Sequence, residues 1–226
     1  MTVLAVAHRA GNSLAGPHAA VRAGADVIEC DVHAYRGRLE VRHLKTAGPL
    51  PFLWDRWELT SASAPRLGLG ELLEASSRQE TFMLDLKGRR LSTGHLVAGL
   101  LQSQFSDRDV IVCGRYWPSV DRVAELDFVK SVLSARNRAE LSALRRRLTS
   151  SDRPAPYGVS VHLSLLRAPV VAWLRERVQV VMTWPVDDLT TLDRVVDLGV
   201  NAVITNETAV LGAVRARANQ TPGGVG

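Results

Sequence analysis

Short apolar runs rich in β-branched residues alternate with longer amphipathic stretches from one end of the chain to the other. The short runs predict strands over residues 3–7, 26–32, 81–86, 110–113, 128–133, 158–163, 178–183 and 202–205. The longer stretches predict helices near 14–23, 70–77, 92–104, 118–125, 138–148, 165–175, 189–198 and 208–217. Strict strand–helix alternation is the pattern of βα units on a parallel sheet. Eight such units predict an α/β fold, a TIM-type (β/α)8 barrel, as one domain over residues 1–218. The structural rival is an open, doubly wound sheet. Against it, the turn after the first strand reads His8-Arg9-Ala10-Gly11-Asn12 and lacks the glycine fingerprint of a nucleotide-binding turn.

The rhythm breaks once. Arg36-Gly37 reads as a turn between 31–35 and 38–43, so the second strand runs on into a hairpin. The stretch that follows, 44–67, holds Pro49, Pro51, Pro65, Trp54 and Trp57 and reads as a rim loop or lid. Residues 219–226, with Pro222 and three glycines, read as a flexible tail.

Composition narrows the classes further. With 226 residues, 46% apolar and 23% charged, the chain is neither disordered nor fibrous and can bury a sizeable core. Lys plus Arg number 28 against 23 acidic residues, and lysine stands only at 45, 87 and 130. A net charge of +5 suits an anionic ligand but is a modest field for this size. The Arg145-Arg146-Arg147 cluster reads as a solvated helix face, and no nucleic-acid-binding motif is present. Cys30 and Cys113 lack metal or redox spacing, so a reducing compartment is expected. The apolar run at 3–7 is too short for a signal-peptide core, and no stretch reaches about 18 apolar residues. These features predict a cytoplasmic protein with no stable membrane anchor and no nucleic-acid partner.

A β/α barrel carries its chemistry at the carboxyl ends of its strands. Here the first strand ends at His8-Arg9, the second at Glu29-Cys30-Asp31-Val32-His33, the third at Asp85-Leu86-Lys87, and the hairpin returns at His43. Alternation puts Glu29, Asp31 and His33 on one face of their strand. Two carboxylates at i, i+2 repel when partly buried unless a cation lies between them. A hard divalent ion, Mg²⁺ or Ca²⁺, answers that need, with Asp85 as a third oxygen ligand. Arginine pairing is the plainer explanation for either carboxylate alone. The convergence of His8, His43, Arg9 and Lys87 on the same rim favours a phosphate site instead. Of the remaining histidines, His18 and His95 fall within helices and carry no expected role, whereas His33 and His162 could face the barrel mouth.

At these residues the chain resembles the glycerophosphodiester phosphodiesterase family of metal-dependent β/α-barrel enzymes. AHRAGN (7–12) is similar to its opening His-Arg-Gly element, and GADVIECDVHAYRGRLEVRH (24–43) to its Glu-x-Asp and returning-histidine block. MLDLKG (83–88), TWPVDD (183–188) and GVNAVITN (199–206) are similar to its acidic-x-Lys strand, its Trp-Thr-Val-Asn element and its closing strand. The resemblance implies His8 and His43 as an acid–base pair and Glu29 and Asp31 as metal ligands. It further implies Arg9 and Lys87 on the phosphate oxygens and Trp184 in the wall beside the leaving alcohol. Asp85 stands where many members have glutamate, a form shared with the related sphingomyelinase D branch. One element departs: the family's Pro-Glu-Asn-Thr motif, with its metal-binding glutamate, is replaced by Gly11-Asn12-Ser13. Mg²⁺ tolerates a water-rich shell, so three acidic groups suffice to hold it, helped by the Asn12 carbonyl.

The expected function is metal-dependent cleavage of glycerophosphodiesters to an alcohol and glycerol phosphate, on a small-molecule phosphodiester substrate. Two alternatives stand beside it. One is a phospholipase D or sphingomyelinase D-like enzyme acting on lysophospholipids, with Trp54 and Trp57 meeting acyl chains. The other is a non-catalytic barrel that binds phosphoesters.

Overall fold

In the first strand Leu4 and Val6 face one way and Ala5 and Ala7 the other, and this two-residue alternation organises the whole molecule. The computed structural model describes residues 2–47, 50–55 and 58–220. In chain order the elements are β1 (Leu4–Ala7), α1 (Gly16–Ala23), β2 (Val27–Tyr35), β3 (Arg38–Val41), β4 (Lys45–Thr46), β5 (Phe52–Asp55) and β6 (Glu58–Ser61). There follow α2 (Leu69–Ala75), β7 (Thr81–Leu86), α3 (Leu91–Gln104), β8 (Val110–Gly114), α4 (Trp117–Val123), β9 (Val129–Ala135) and α5 (Arg138–Thr149). The chain closes with β10 (Gly158–His162), α6 (Ala168–Arg175), β11 (Val180–Trp184), α7 (Leu189–Asp197), β12 (Ala202–Thr205) and α8 (Thr208–Gln220).

Strands β1, β2, β7, β8, β9, β10, β11 and β12 pair in parallel, and β1 pairs with both β2 and β12. The sheet therefore closes into an eight-stranded TIM-type barrel with helices outside, as the alternation predicts. Positions of one parity, among them Val6, Val27, Met83, Val132, Met182 and Ile204, fill the interior. The other parity, including Ile28, Leu84 and Leu133, packs outward against helix residues such as Leu101, Leu174 and Val195. Each large aliphatic side chain so buried contributes roughly 1.5–3 kcal/mol relative to exposure.

Element boundaries shift where local chemistry decides. Helix α1 starts at Gly16, two residues later than the pattern suggests, because Pro17 suits a first turn and cannot sit deeper. It ends at Gly24, whose φ of 104° only glycine adopts cheaply. Helix α6 likewise begins at Ala168 beside a proline, after a one-turn 3-10 segment.

Strand β2 runs to Tyr35 and on into the expected hairpin, where β3 pairs with it from Val32↔Val41 to Tyr35↔Arg38. Two expectations are corrected. The stretch 44–67 is more than a rim loop: β4, β5 and β6 form a small antiparallel sheet. Fully buried Leu53 anchors it in a minor core with Leu44, Ala62 and Tyr35. Trp57 lies outside the described residues. Helix α8 continues to Gln220, into the segment expected as a tail, and 221–226 lie outside the described residues. Both cysteines are free and buried. Among the described residues no helix is long and apolar enough to cross a membrane.

Candidate functional site

The interior parity of β2 continues from Val27 through Glu29 and Asp31 to His33, so the hydrophobic interior gives way to carboxylates at the strand's carboxyl end. On β7 the same parity runs Met83, Asp85, and then Lys87 just past the strand. The register Asp31↔Asp85 sets those two side by side. Oxygens of Glu29, Asp31 and Asp85 all lie within 4.8 Å of one another.

Glu29 is 2% exposed and Asp31 fully buried, so their charges need compensation. Lys87 Nζ lies 2.6 Å from Asp31 Oδ1 and also contacts Asp85. Arg9 donates its backbone N–H to Glu29 Oε2 at 2.6 Å and holds its Nε 3.6 Å from Asp31 Oδ2. To do both it takes a left-handed conformation, φ 57°, which costs a non-glycine residue on the order of 1 kcal/mol or more.

Electrostatics reflect this crowding. Burial, reinforced by the charge of Asp31, pushes Glu29 up to about 8. Burial works against Asp31 too, but the Lys87 ammonium and the Asn12 amide hold its carboxyl below its ordinary value. Lys87 is desolvated, yet Asp85, Asp31 and Glu29 keep it firmly protonated. An all-oxygen triad with two buried carboxylates, whose like charges crowd together out of water, fits a hard divalent cation.

His8 and His43 flank this cluster. His8 continues the interior parity of β1, and its Nδ1 lies 3.0 Å from Asn206 Oδ1. The amide oxygen only accepts, so the ring proton sits on Nδ1 and Nε2 is left bare. Burial, then the neighbouring Arg9 charge, lowers the His8 pKa. His43 sits beyond β3, with Arg9 Nη2 against its Nε2 and Asp55 Oδ2 2.6 Å from its Nδ1.

Of the other candidates, Trp184 ends β11 on the interior side and meets His162, at the end of β10, edge to face with centroids 4.8 Å apart. His162 Nδ1 is engaged by Ser164 at 2.8 Å. His33 is held neutral, pushed down to about 3 by burial and then by Arg42, and its Nε2 is buried without a hydrogen-bond partner. His18 and His95 are exposed on α1 and α3, away from this rim.

Three residues acquire parts that sequence reasoning did not give them. Asn12, suggested as an oxygen donor to a metal, is instead committed to Asp31: its Nδ2 donates to Oδ2 at 2.8 Å and its Oδ1 accepts the Asp31 N–H at 2.9 Å. Gly11 makes this possible, because a Cβ there would lie 2.8 Å from Cys30 Cβ. Asn206 follows Ile204 by two positions, so strand parity carried past β12 identifies it. Asp55 arrives from the inserted sheet, and no signal in a stretch read as a loop could have found it.

Residues 180–209 match the model of the Glycerophosphoryl diester phosphodiesterase family. No curated protein matches the chain. Among solved structures, an Oleispira antarctica phosphodiesterase in complex with the product sn-glycerol-3-phosphate superposes with a TM-score of 0.73 at 15% identity, covering 96% of this chain and 97% of that one. The glycerophosphodiester phosphodiesterase of Thermotoga maritima gives a TM-score of 0.71 at 17% identity, covering 97% and 98%. That of Parabacteroides distasonis gives 0.65 at 17%, covering 96% and 100%. At these identities the likeness is one of fold.

Proposed function

Taking the chain as one that belongs with the glycerophosphoryl diester phosphodiesterases, by its matched segment and its fold, we propose that it hydrolyses glycerophosphodiesters to an alcohol and glycerol phosphate. One observation carries this reading. A triad of carboxylates, two of them buried, two cations and two histidines share the carboxyl-end rim of one barrel. The product bound to the Oleispira relative is of the same chemical class.

Glu29, Asp31 and Asp85 would hold a divalent ion, Mg²⁺ or Ca²⁺. When bound, that ion supplies charge neutralisation at the phosphate oxygens. Arg9 and Lys87 are the chain's own cations beside that position and orient the phosphodiester. Arg9 now faces His43 Nε2. A phosphate competes for its guanidinium and frees that nitrogen. One imidazole takes a proton from the attacking water, the new P–O bond forms, the ester P–O bond breaks, and the other imidazole protonates the departing alkoxide, which balances to an alcohol and glycerol phosphate. Trp184 and His162 form the wall on the far side of the mouth, where the leaving alcohol fits. Two free, buried thiols suit a cytoplasmic setting.

Release of alcohol and glycerol phosphate from a panel of soluble glycerophosphodiesters tests the assignment. Metal-stimulated turnover supports it, whereas binding without turnover leaves a phosphoester-binding barrel. The inserted sheet favours one second reading, activity on lysophospholipids. Trp54, 44% exposed, pairs across strands with Leu59, 70% exposed, beside the site's own Asp55. Faster turnover of micellar than of soluble substrate selects it.

A further inference from the structure

In β5 alternation points Leu53 and Asp55 one way and Phe52 and Trp54 the other. Leu53, fully buried over Leu44 and Ala62, pins the inward face of the inserted sheet against the barrel rim. Two residues on, that face delivers Asp55 to His43, with Oδ2 2.6 Å from Nδ1. The opposite edge of the ring meets Arg9 Nη2. A guanidinium has donors and no acceptor, so Nε2 must be the unprotonated nitrogen and Nδ1 carries the proton, toward the carboxylate.

We propose that Asp55 is a positioning residue that holds His43 in the Nδ1-protonated tautomer, aims Nε2 at the phosphate site and steadies the imidazolium formed during proton transfer. The inserted sheet is thereby part of the active site. His8 differs in this respect, since its Nδ1 faces the neutral amide of Asn206 and gains no such charge stabilisation. Both Asp55 and His43 keep somewhat under a third of their side-chain surface exposed, so water shares the task.

This inference rests on the acid–base reading of His43, and the experiment separates the two. Steady-state kinetics on a glycerophosphodiester are compared for wild type, Asp55→Asn, Asp55→Glu, His43→Ala and the His43→Ala/Asp55→Asn double variant, alongside ¹⁵N imidazole shifts of His43. Asp55→Asn is expected to lower kcat by about ten- to a hundredfold with KM little changed, the range typical of lost partners that orient a functional histidine. Asp55→Glu should restore part of the rate, and Asp55→Asn should cost nothing further once His43 is gone. The nitrogen shifts should show Nδ1–H in wild type and a mixed population in Asp55→Asn. An equal loss from Asp55→Asn with and without His43 overturns the proposal, because Asp55 would then act on the fold. An unchanged kcat or an unchanged tautomer in Asp55→Asn overturns it as well. Full activity of His43→Ala defeats the acid–base reading itself, and the tautomer readout still decides the pairing.

Discussion

Replacing Asn12 by alanine removes two hydrogen bonds from the fully buried Asp31 at once, those at 2.8 Å to its Oδ2 and at 2.9 Å from its N–H. The bond to the ionised carboxylate is worth about 1.5–3 kcal/mol, and a buried N–H left unpaired costs about 1–3 kcal/mol. Asn12 is only half-buried, so water entering the vacated space recovers part of this. The net expectation is a loss of roughly 2–4 kcal/mol. Urea denaturation of the metal-free protein reads it as a lowered midpoint at unchanged slope. Isothermal titration with Mg²⁺ or Ca²⁺ should show affinity about ten- to a hundredfold weaker, because Asp31 loses the group that orients it. A midpoint within error of wild type would refute the reasoning, since neither bond could then be in place.

The catalytic groups should separate by severity: His43→Ala should cut kcat with little change in substrate affinity, and His33→Ala, whose ring carries no assigned step, should matter far less. Equal losses in a steady-state assay would mean that the wrong histidine has been paired with His8. The site's approach can be probed through Trp54→Ser, expected to slow a micellar lysolipid more than a soluble glycerophosphodiester if the exposed Trp54–Leu59 face meets acyl chains. Acid stability offers a check away from the chemistry. Burial favours the protonated form of Glu140, but bonds from Arg115 and the Arg136 N–H prevail and hold its pKa below the ordinary value. A depressed carboxylate contributes stability above its ordinary pKa and loses it as pH falls through the lowered one. Glu140→Gln should therefore cost about 1 kcal/mol at neutral pH and almost nothing in strong acid, read from denaturation midpoints at the two pH values.

The barrel was legible because each strand is a short β-branched run whose alternation survives tertiary packing, as β7 and β12 show by matching their expected limits. The same periodicity made Glu29, Asp31 and Asp85 readable as one cluster, since parity and neighbouring strands suffice to bring them together. Contacts that cross between elements were not legible. Asn12 was visible as a replacement for a glutamate, but its grip on Asp31 depends on the close passage of Gly11 over Cys30. Asp55 was hidden for a different reason. The β5 and β6 runs are short, proline-flanked and stabilised by one buried leucine, which leaves too weak a hydrophobic period to distinguish a sheet from a loop.

The divalent ion held by Glu29, Asp31 and Asp85 is the claim on which the chemistry turns. Its most direct measurement is glycerol phosphate release after exhaustive chelation and again after Mg²⁺ or Ca²⁺ is restored, for wild type and Asp31→Asn side by side. The chelated wild type should be inactive and recover with metal, while Asp31→Asn stays inactive at every metal concentration. Undiminished turnover in the chelated wild type, or full recovery of Asp31→Asn, would contradict it.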